Sequence, residues 1–163
     1  MTVVCNATPL INFAAINRLD ILEAVFKQLL IPQSVYNETT VEGFPGTEFV
    51  LQAINSSWLQ VQSVSIIVNN IPSELDDGER EAIALALETG EQRILLDERE
   101  ARQVAENLGL QAIGTLGILL LAKNRGVITQ VQPLLDAMLD TAQYWVSRSL
   151  YEQVLRQAGE FIA

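Results

Sequence analysis

The 163-residue chain contains no histidine. That absence removes Ser-His-Asp and Cys-His nucleophilic sites, imidazole zinc ligands and histidine acid/base pairs together, so any chemistry must run on carboxylates, hydroxyls, lysine, arginine or a bound ion. The single Cys5 excludes an internal disulfide and a multi-cysteine zinc site, which fits a reducing compartment. Basic residues are scarce, 10 Lys and Arg against 20 Asp and Glu, for a formal net charge of −10 and a pI near 4.3. Such a balance opposes non-specific binding of nucleic acid, and a polyanionic substrate then needs a metal ion or local arginines. No apolar run approaches the length of a membrane span, and no basic region precedes the apolar start, so a cytoplasmic location is expected.

With 49% hydrophobic and 18% charged residues, the chain is long enough for one sizeable core and short for two, so a single domain over 1–163 is expected. Short β-branched or leucine-rich runs alternate with helical patterns. Thr2 to Cys5 reads as a buried strand that stops at Asn6, and Pro9 sits where a first helical turn tolerates it. Leu19, Leu22, Val25 and Phe26 recur at helical spacing; Leu29 to Ile31 is a second strand; Gln33 to Thr40 is a helix bearing Glu38. Thr47 to Asn55 reads as a helix and Trp58 to Val64 as an alternating strand, while Ser65 to Ser73 is the least regular stretch. Gln111 to Ile113 is a fifth strand, Gly114-Thr115 opens a helix through Lys123, and Val131 to Asp140 and Ser147 to Gly159 are amphipathic helices. The alternation calls for a parallel α/β sheet.

The stretch from Leu75 to Arg102 organises the rest. Asp76 or Asp77 caps a helix whose first turn holds Glu79, its Ala82 to Leu87 run is apolar enough to be buried nearly all round, and the strand Ile94 to Leu96 ends at Asp97. In a parallel sheet a helix following one strand starts on the edge where the next strand finishes, so Glu79 and Asp97 belong on one rim, with Asn6 at the end of the first strand. Eleven of the 20 acids fall between Glu74 and Glu106, which by itself reads as solvated helix surface, so position must decide. Asn6, Glu38, Glu79 and Asp97 together offer oxygen donors to a hard ion such as Mg²⁺ or Mn²⁺. Each also has an ordinary structural role open to it. Asp97 can cap the helix after it, Glu79 can complement a helix dipole, Asn6 can be a turn residue and Glu38 a solvated face. Arg80, Arg99 and Arg102 read as partners of neighbouring acids, with phosphate as their other use.

The order strand-Asn6-x-Thr8, Ile31-Pro32-x-x-Val35-x-x-Glu38, Leu75 to Ala86 (LDxGExxAIxLA), Leu95 to Arg102 (LLDxxxAR) and Gly114 to Lys123 (GTxGxLLxAK) resembles the PIN-domain ribonuclease superfamily, in particular its bacterial and archaeal PIN-like branch. The likeness covers Val3 to about Gly159. It implies a three-layer α/β/α sandwich with a parallel sheet of four to five strands and an acidic pocket for Mg²⁺ or Mn²⁺. By the same resemblance Asn6 stands where the superfamily's first aspartate usually stands, Thr8 matches the neighbouring hydroxyl, and Glu38, Glu79 and Asp97 match the remaining acids.

The expectation is a metal-dependent endoribonuclease, toxin-like, cleaving single-stranded RNA and neutralised by a small antitoxin, with Glu38, Glu79 and Asp97 catalytic and Asn6, Thr8 and Arg102 auxiliary. Two rivals stand beside it. A non-catalytic PIN-like module binding RNA or protein is motivated by the uncharged Asn6. A phosphoacceptor receiver domain would use Thr115 and Lys123, but wants paired acids after the first strand. A homodimer is expected from the apolar C-terminal helices and the segment Val25 to Leu30.

Overall fold

A computed structural model describes residues 2–65, 71–142 and 144–162. Five short strands form one parallel sheet: β1 (Thr2–Cys5), β2 (Gln28–Ile31), β3 (Leu59–Val61), β4 (Arg93–Leu95) and β5 (Gln111–Ile113), in the order β3-β2-β1-β4-β5. The register pairs Val3 with Leu29, Leu29 with Leu59, Val4 with Ile94 and Ile94 with Ala112. Chain direction reverses its walk across the sheet on either side of β1, which makes the β1/β4 seam the switch point where a crevice opens at the carboxyl edge.

The two-residue period of the strands divides their side chains between two helical layers. Val3, Cys5, Leu29, Ile31 and Leu95 enter one core with the helices α1 (Ala7–Ala15), α2 (Leu19–Phe26), α4 (Thr47–Asn55), α7 (Thr115–Asn124), α8 (Gln132–Thr141) and α9 (Arg148–Gln157). Val4, Leu30, Ile94 and Leu96 enter the other, against α5 (Asp77–Thr89) and α6 (Arg99–Asn107). Ala82 to Ala86 are all buried in that second layer and Leu87 is half-buried, which is why this stretch carries small and branched residues in place of a polar face. The short α3 (Gln33–Thr39) follows β2 and packs against α1 and α5 at the carboxyl edge. Together these make the expected three-layer α/β/α sandwich, and no helix of the described residues is long and apolar enough to cross a membrane.

Several element ends differ from the sequence reading. β3 is only Leu59–Val61, because among the described residues no strand pairs with its far side and Gln62 N is the last group bonded to Ile31 O. β4 spans Arg93–Leu95, although Leu96 N still donates to Ile113 O at 3.0 Å. Residues 66–70 of the stretch read as irregular lie outside the described residues. The segment Val25 to Leu30 does not supply surplus apolar surface: Val25, Phe26, Leu29 and Leu30 are buried in the monomer, which removes that ground for a homodimer.

Lys123, weighed above as a site residue, lies at the far end of α7 and has a structural task. Its Nζ donates to Ala158 O and, at 2.9 Å, to Glu160 Oε2. Glu160 in turn accepts from Val131 N (2.7 Å) and Gln132 N (2.9 Å), so one carboxylate caps α8 and fastens the end of α9 to α7. Its side chain is 8% exposed. Burial alone would raise its pKa, but the amides of Val131 and Gln132 and the Lys123 ammonium outweigh that and hold it below the ordinary value of 4.5. A depressed carboxylate stabilises the fold above its unfolded pKa, and the contribution disappears as pH falls through the folded value. Glu160→Gln should therefore cost about 1–3 kcal/mol in urea unfolding at pH 7. The difference from the parent should shrink below pH 4.5; a constant difference down to acid pH would show that charge is irrelevant there.

Candidate active site

The carboxyl edge around the β1/β4 seam carries the predicted residues. Asn6 follows β1 directly, and its backbone N–H donates to Leu95 O at 2.9 Å, so the last rung of the β1–β4 ladder fixes its position. It is the N-cap of α1, yet its side chain accepts no helix amide; the residue is buried, and Oδ1 has no hydrogen-bond partner. A turn or cap role would have occupied that oxygen. Gly78 lies opposite: a methyl group there would stand 3.2 Å from Asn6 Oδ1, so glycine lets the start of α5 come this close without displacing the Asn6 amide.

Glu79 is N3 of α5 in a capping box with Asp76. Glu79 N donates to Asp76 Oδ1 at 2.7 Å, and Asp76 N donates to Glu79 Oε1 at 3.0 Å. The helix-start role is therefore real and uses one Glu79 oxygen. Burial raises the Glu79 pKa, the Asp76 amide lowers it, and the charges of Asp76, Glu98 and Glu100 raise it further. Glu38 is more exposed, near the end of α3; partial burial, then Asp76 and Glu98, push its carboxyl up as well.

Asp97 does not cap the helix that follows it. The N-cap of α6 is Glu98, without a side-chain cap bond. Asp97 instead reaches across to α7, where Oδ1 accepts from Thr115 N at 2.8 Å and Oδ2 accepts from the Thr115 hydroxyl. Thr115 is fully buried and accepts from Asn12 Nδ2 at 3.0 Å, so Asn12, Thr115 and Asp97 form a chain through the protein. A methyl group on Gly114 would lie 3.0 Å from Asp97 Oδ1, which accounts for the glycine opening the Gly114 to Lys123 block. Burial raises the Asp97 pKa more than the Thr115 bonds lower it; Glu98 adds to the rise and Arg102 opposes it.

Two further acids share the edge: Asp76, read from the sequence only as a helix cap, and Glu98. Thr8 Oγ1 donates to Glu98 Oε1, and Glu98 Oε2 is buried without a partner. Glu98 charge raises the pKa of Glu38, Glu79 and Asp97, and Asp76 that of the first two, so these acids share one field. Asn12 had a readable signal, standing four residues after Thr8 on the same helix face; Glu98 had only its adjacency to Asp97. The arginines are not paired as expected. Among the described residues the ion pairs within 4.0 Å are Arg18–Asp20, Lys123–Glu160 and Arg148–Glu152, leaving Arg80, Arg99 and Arg102 without one. Arg102 nonetheless stands beside Asp97, with Nη1 3.6 Å from where a Gly114 methyl would be.

Among the described residues no three Asp, Glu or Cys side chains are placed to hold an ion by themselves. The donor set still fits a hard cation that keeps much of its water and takes only one or two carboxylates, because unpartnered oxygens of Asn6 and Glu98 and mutually repelling carboxyls surround one edge. The tie of Lys123 to Glu160 leaves the receiver reading without its lysine.

A family model described as a PIN domain matches residues 2–160. No curated protein matches the chain significantly. Among solved structures, a PilT N-terminus domain protein from the hyperthermophilic archaeon Sulfolobus solfataricus P2 superimposes with a TM-score of 0.51 at 15% identity, covering 91% of this chain and 100% of that one. The structural match speaks for the fold, and the family model, spanning nearly the whole sequence, for descent: this chain belongs to the PIN-domain family.

Proposed function

We propose that this protein is a Mg²⁺- or Mn²⁺-dependent endoribonuclease acting on single-stranded RNA at the acidic edge, within a family whose members are generally nucleases. The observation that carries the reading is Asn6 Oδ1, an amide oxygen buried without a partner where several carboxyls raise one another's pKa. Burial of such a set is costly unless a ligand compensates it.

Asn6 and one or two of the carboxylates of Glu38, Glu79 and Asp97 would hold the ion. When bound, it would neutralise phosphodiester charge and make a bound water a stronger nucleophile. The chain's own residues do the rest. Thr115 and Asn12 fix the rotamer of Asp97, Asp76 fixes Glu79, and Thr8 holds one oxygen of Glu98. Arg102, beside Asp97 and outside any ion pair among the described residues, would meet a substrate phosphate. Glu38, the most exposed acid of the group, is the one suited to exchanging a proton with solvent. The toxin-like role and a small antitoxin partner rest on the likeness of the three sequence blocks, and a short open reading frame adjoining the gene is the expected companion.

Mn²⁺ at a hundredfold excess over its Kd should stabilise the protein by about 2.7 kcal/mol, roughly 5–11 °C in Tm. Glu79→Gln separates charge from capping, because glutamine still accepts the Asp76 amide. It should match or exceed the parent's metal-free Tm and lose most of the Mn²⁺ shift; an unchanged shift places the ion elsewhere.

Cleavage of labelled single-stranded RNA should be slow in the parent, rise about tenfold or more in Asn6→Asp, equivalent to ~1.4 kcal/mol of barrier, and fall at least ~100-fold in Asp97→Asn. If parent and Asn6→Asp both bind Mn²⁺ and cut no RNA, the chain is a PIN scaffold that binds without cutting.

A further inference from the structure

Two grooves leave the acidic edge, and Tyr144 and Trp145 stand between them. The first, about 310 Å³, runs from Thr8 and Asn12 past Phe44 to Trp145. The second, about 850 Å³, runs from Asp97 past Arg99, Arg102 and Gly114 to Trp145 and Leu150. Trp145 lines both and is 80% exposed, the most exposed aromatic side chain among the described residues, and Phe44, 49% exposed, faces the first groove. A tryptophan left this open loses much of the burial that its large apolar surface offers. It is therefore explained by something that covers it.

The occupant is indicated by charge. The chain has only 10 basic residues, yet Arg99 and Arg102, both exposed and outside any ion pair among the described residues, line the same groove as Trp145 and Asp97. Guanidinium groups without carboxylate partners suit phosphate, and a flat ring beside them suits a base, because every base has a π-face. A helical protein partner would meet the same apolar wall, but would leave the two arginines unexplained unless it were acidic. We propose that Trp145 is a stacking platform for a base next to the scissile phosphate of single-stranded RNA, with Arg99 and Arg102 on the adjoining backbone. This rests on the RNA reading above and names the element by which that site grips its substrate.

The test separates binding from cutting. In EDTA, where no cleavage occurs, the parent is titrated with a labelled ten-nucleotide uridine strand and with the same ribose-phosphate strand lacking bases. Trp145→Ala should weaken binding of the uridine strand roughly 5- to 150-fold, from a stacking contribution of about 1–3 kcal/mol per base, and change binding of the base-free strand little. Trp145→Phe should recover most of the loss, and Arg102→Gln should weaken both strands alike. Trp145→Ala should keep the parent's Mn²⁺-dependent rise in Tm, which shows that the fold and the ion site are intact. Equal affinity of parent and Trp145→Ala for the uridine strand overturns the proposal, as does a parent that is dimeric and becomes monomeric on Trp145→Ala without change in RNA affinity. If Trp145-dependent binding is seen but no RNA is cut with Mn²⁺, the platform stands and the nuclease reading fails. If RNA is cut with a KM indifferent to Trp145, the nuclease reading stands and the platform fails.

Discussion

The structure depends on holding like charges together at the edge of a sheet. Glu38, Glu79 and Asp97 all have carboxyls displaced upward, first by burial and then by neighbouring acids, with Glu98 common to the three. In water these groups would separate. Here the strand and helix ends that carry them are fixed by the hydrogen bonds of the β1/β4 seam, by the α5 capping box and by the Asp97–Thr115 contact. The stability of the two apolar layers offsets a local repulsion that has no structural use of its own.

This arrangement divides the labour among residues that look alike in sequence. Asp76 and Glu79 satisfy each other's backbone amides and still leave Glu79 an oxygen. Asp97 spends both oxygens on Thr115, so any ligand it met would use a lone pair left over from those bonds, and its orientation is fixed at both oxygens. Asn6 is the reverse, with an oxygen that spends nothing inside the protein. An amide there lowers the summed repulsion in a chain already crowded with acid.

Much of this was legible beforehand because it follows from period and chain order. The bounds of β1, α2, α4 and β5 agree with the sequence pattern, and Asn6, Glu79 and Asp97 reach one edge because parallel topology sends strand ends and helix starts there. Other features turn on contacts between distant residues. Asp97 capping α7 and not α6 is a choice made across 18 residues, and Asn12 meets Thr115 across 103. Glu98 reads as an ordinary helix-start acid until Thr8 is seen holding it. The arginines read as partners of adjacent acids because sequence proximity suggests pairing, whereas Arg99 and Arg102 turn to a groove instead. Trp145 gives no signal at all, since exposure is decided by what fails to pack on it.

The most direct test of the account is the position of the ion. A crystal of the protein soaked in Mn²⁺ and measured near the manganese absorption edge should show an anomalous peak within coordination distance of Asn6 Oδ1 and of a carboxylate oxygen of Glu79 or Asp97, completed by waters. A manganese peak bound only at other surface acids, with Asn6 Oδ1 still unpartnered, would contradict it.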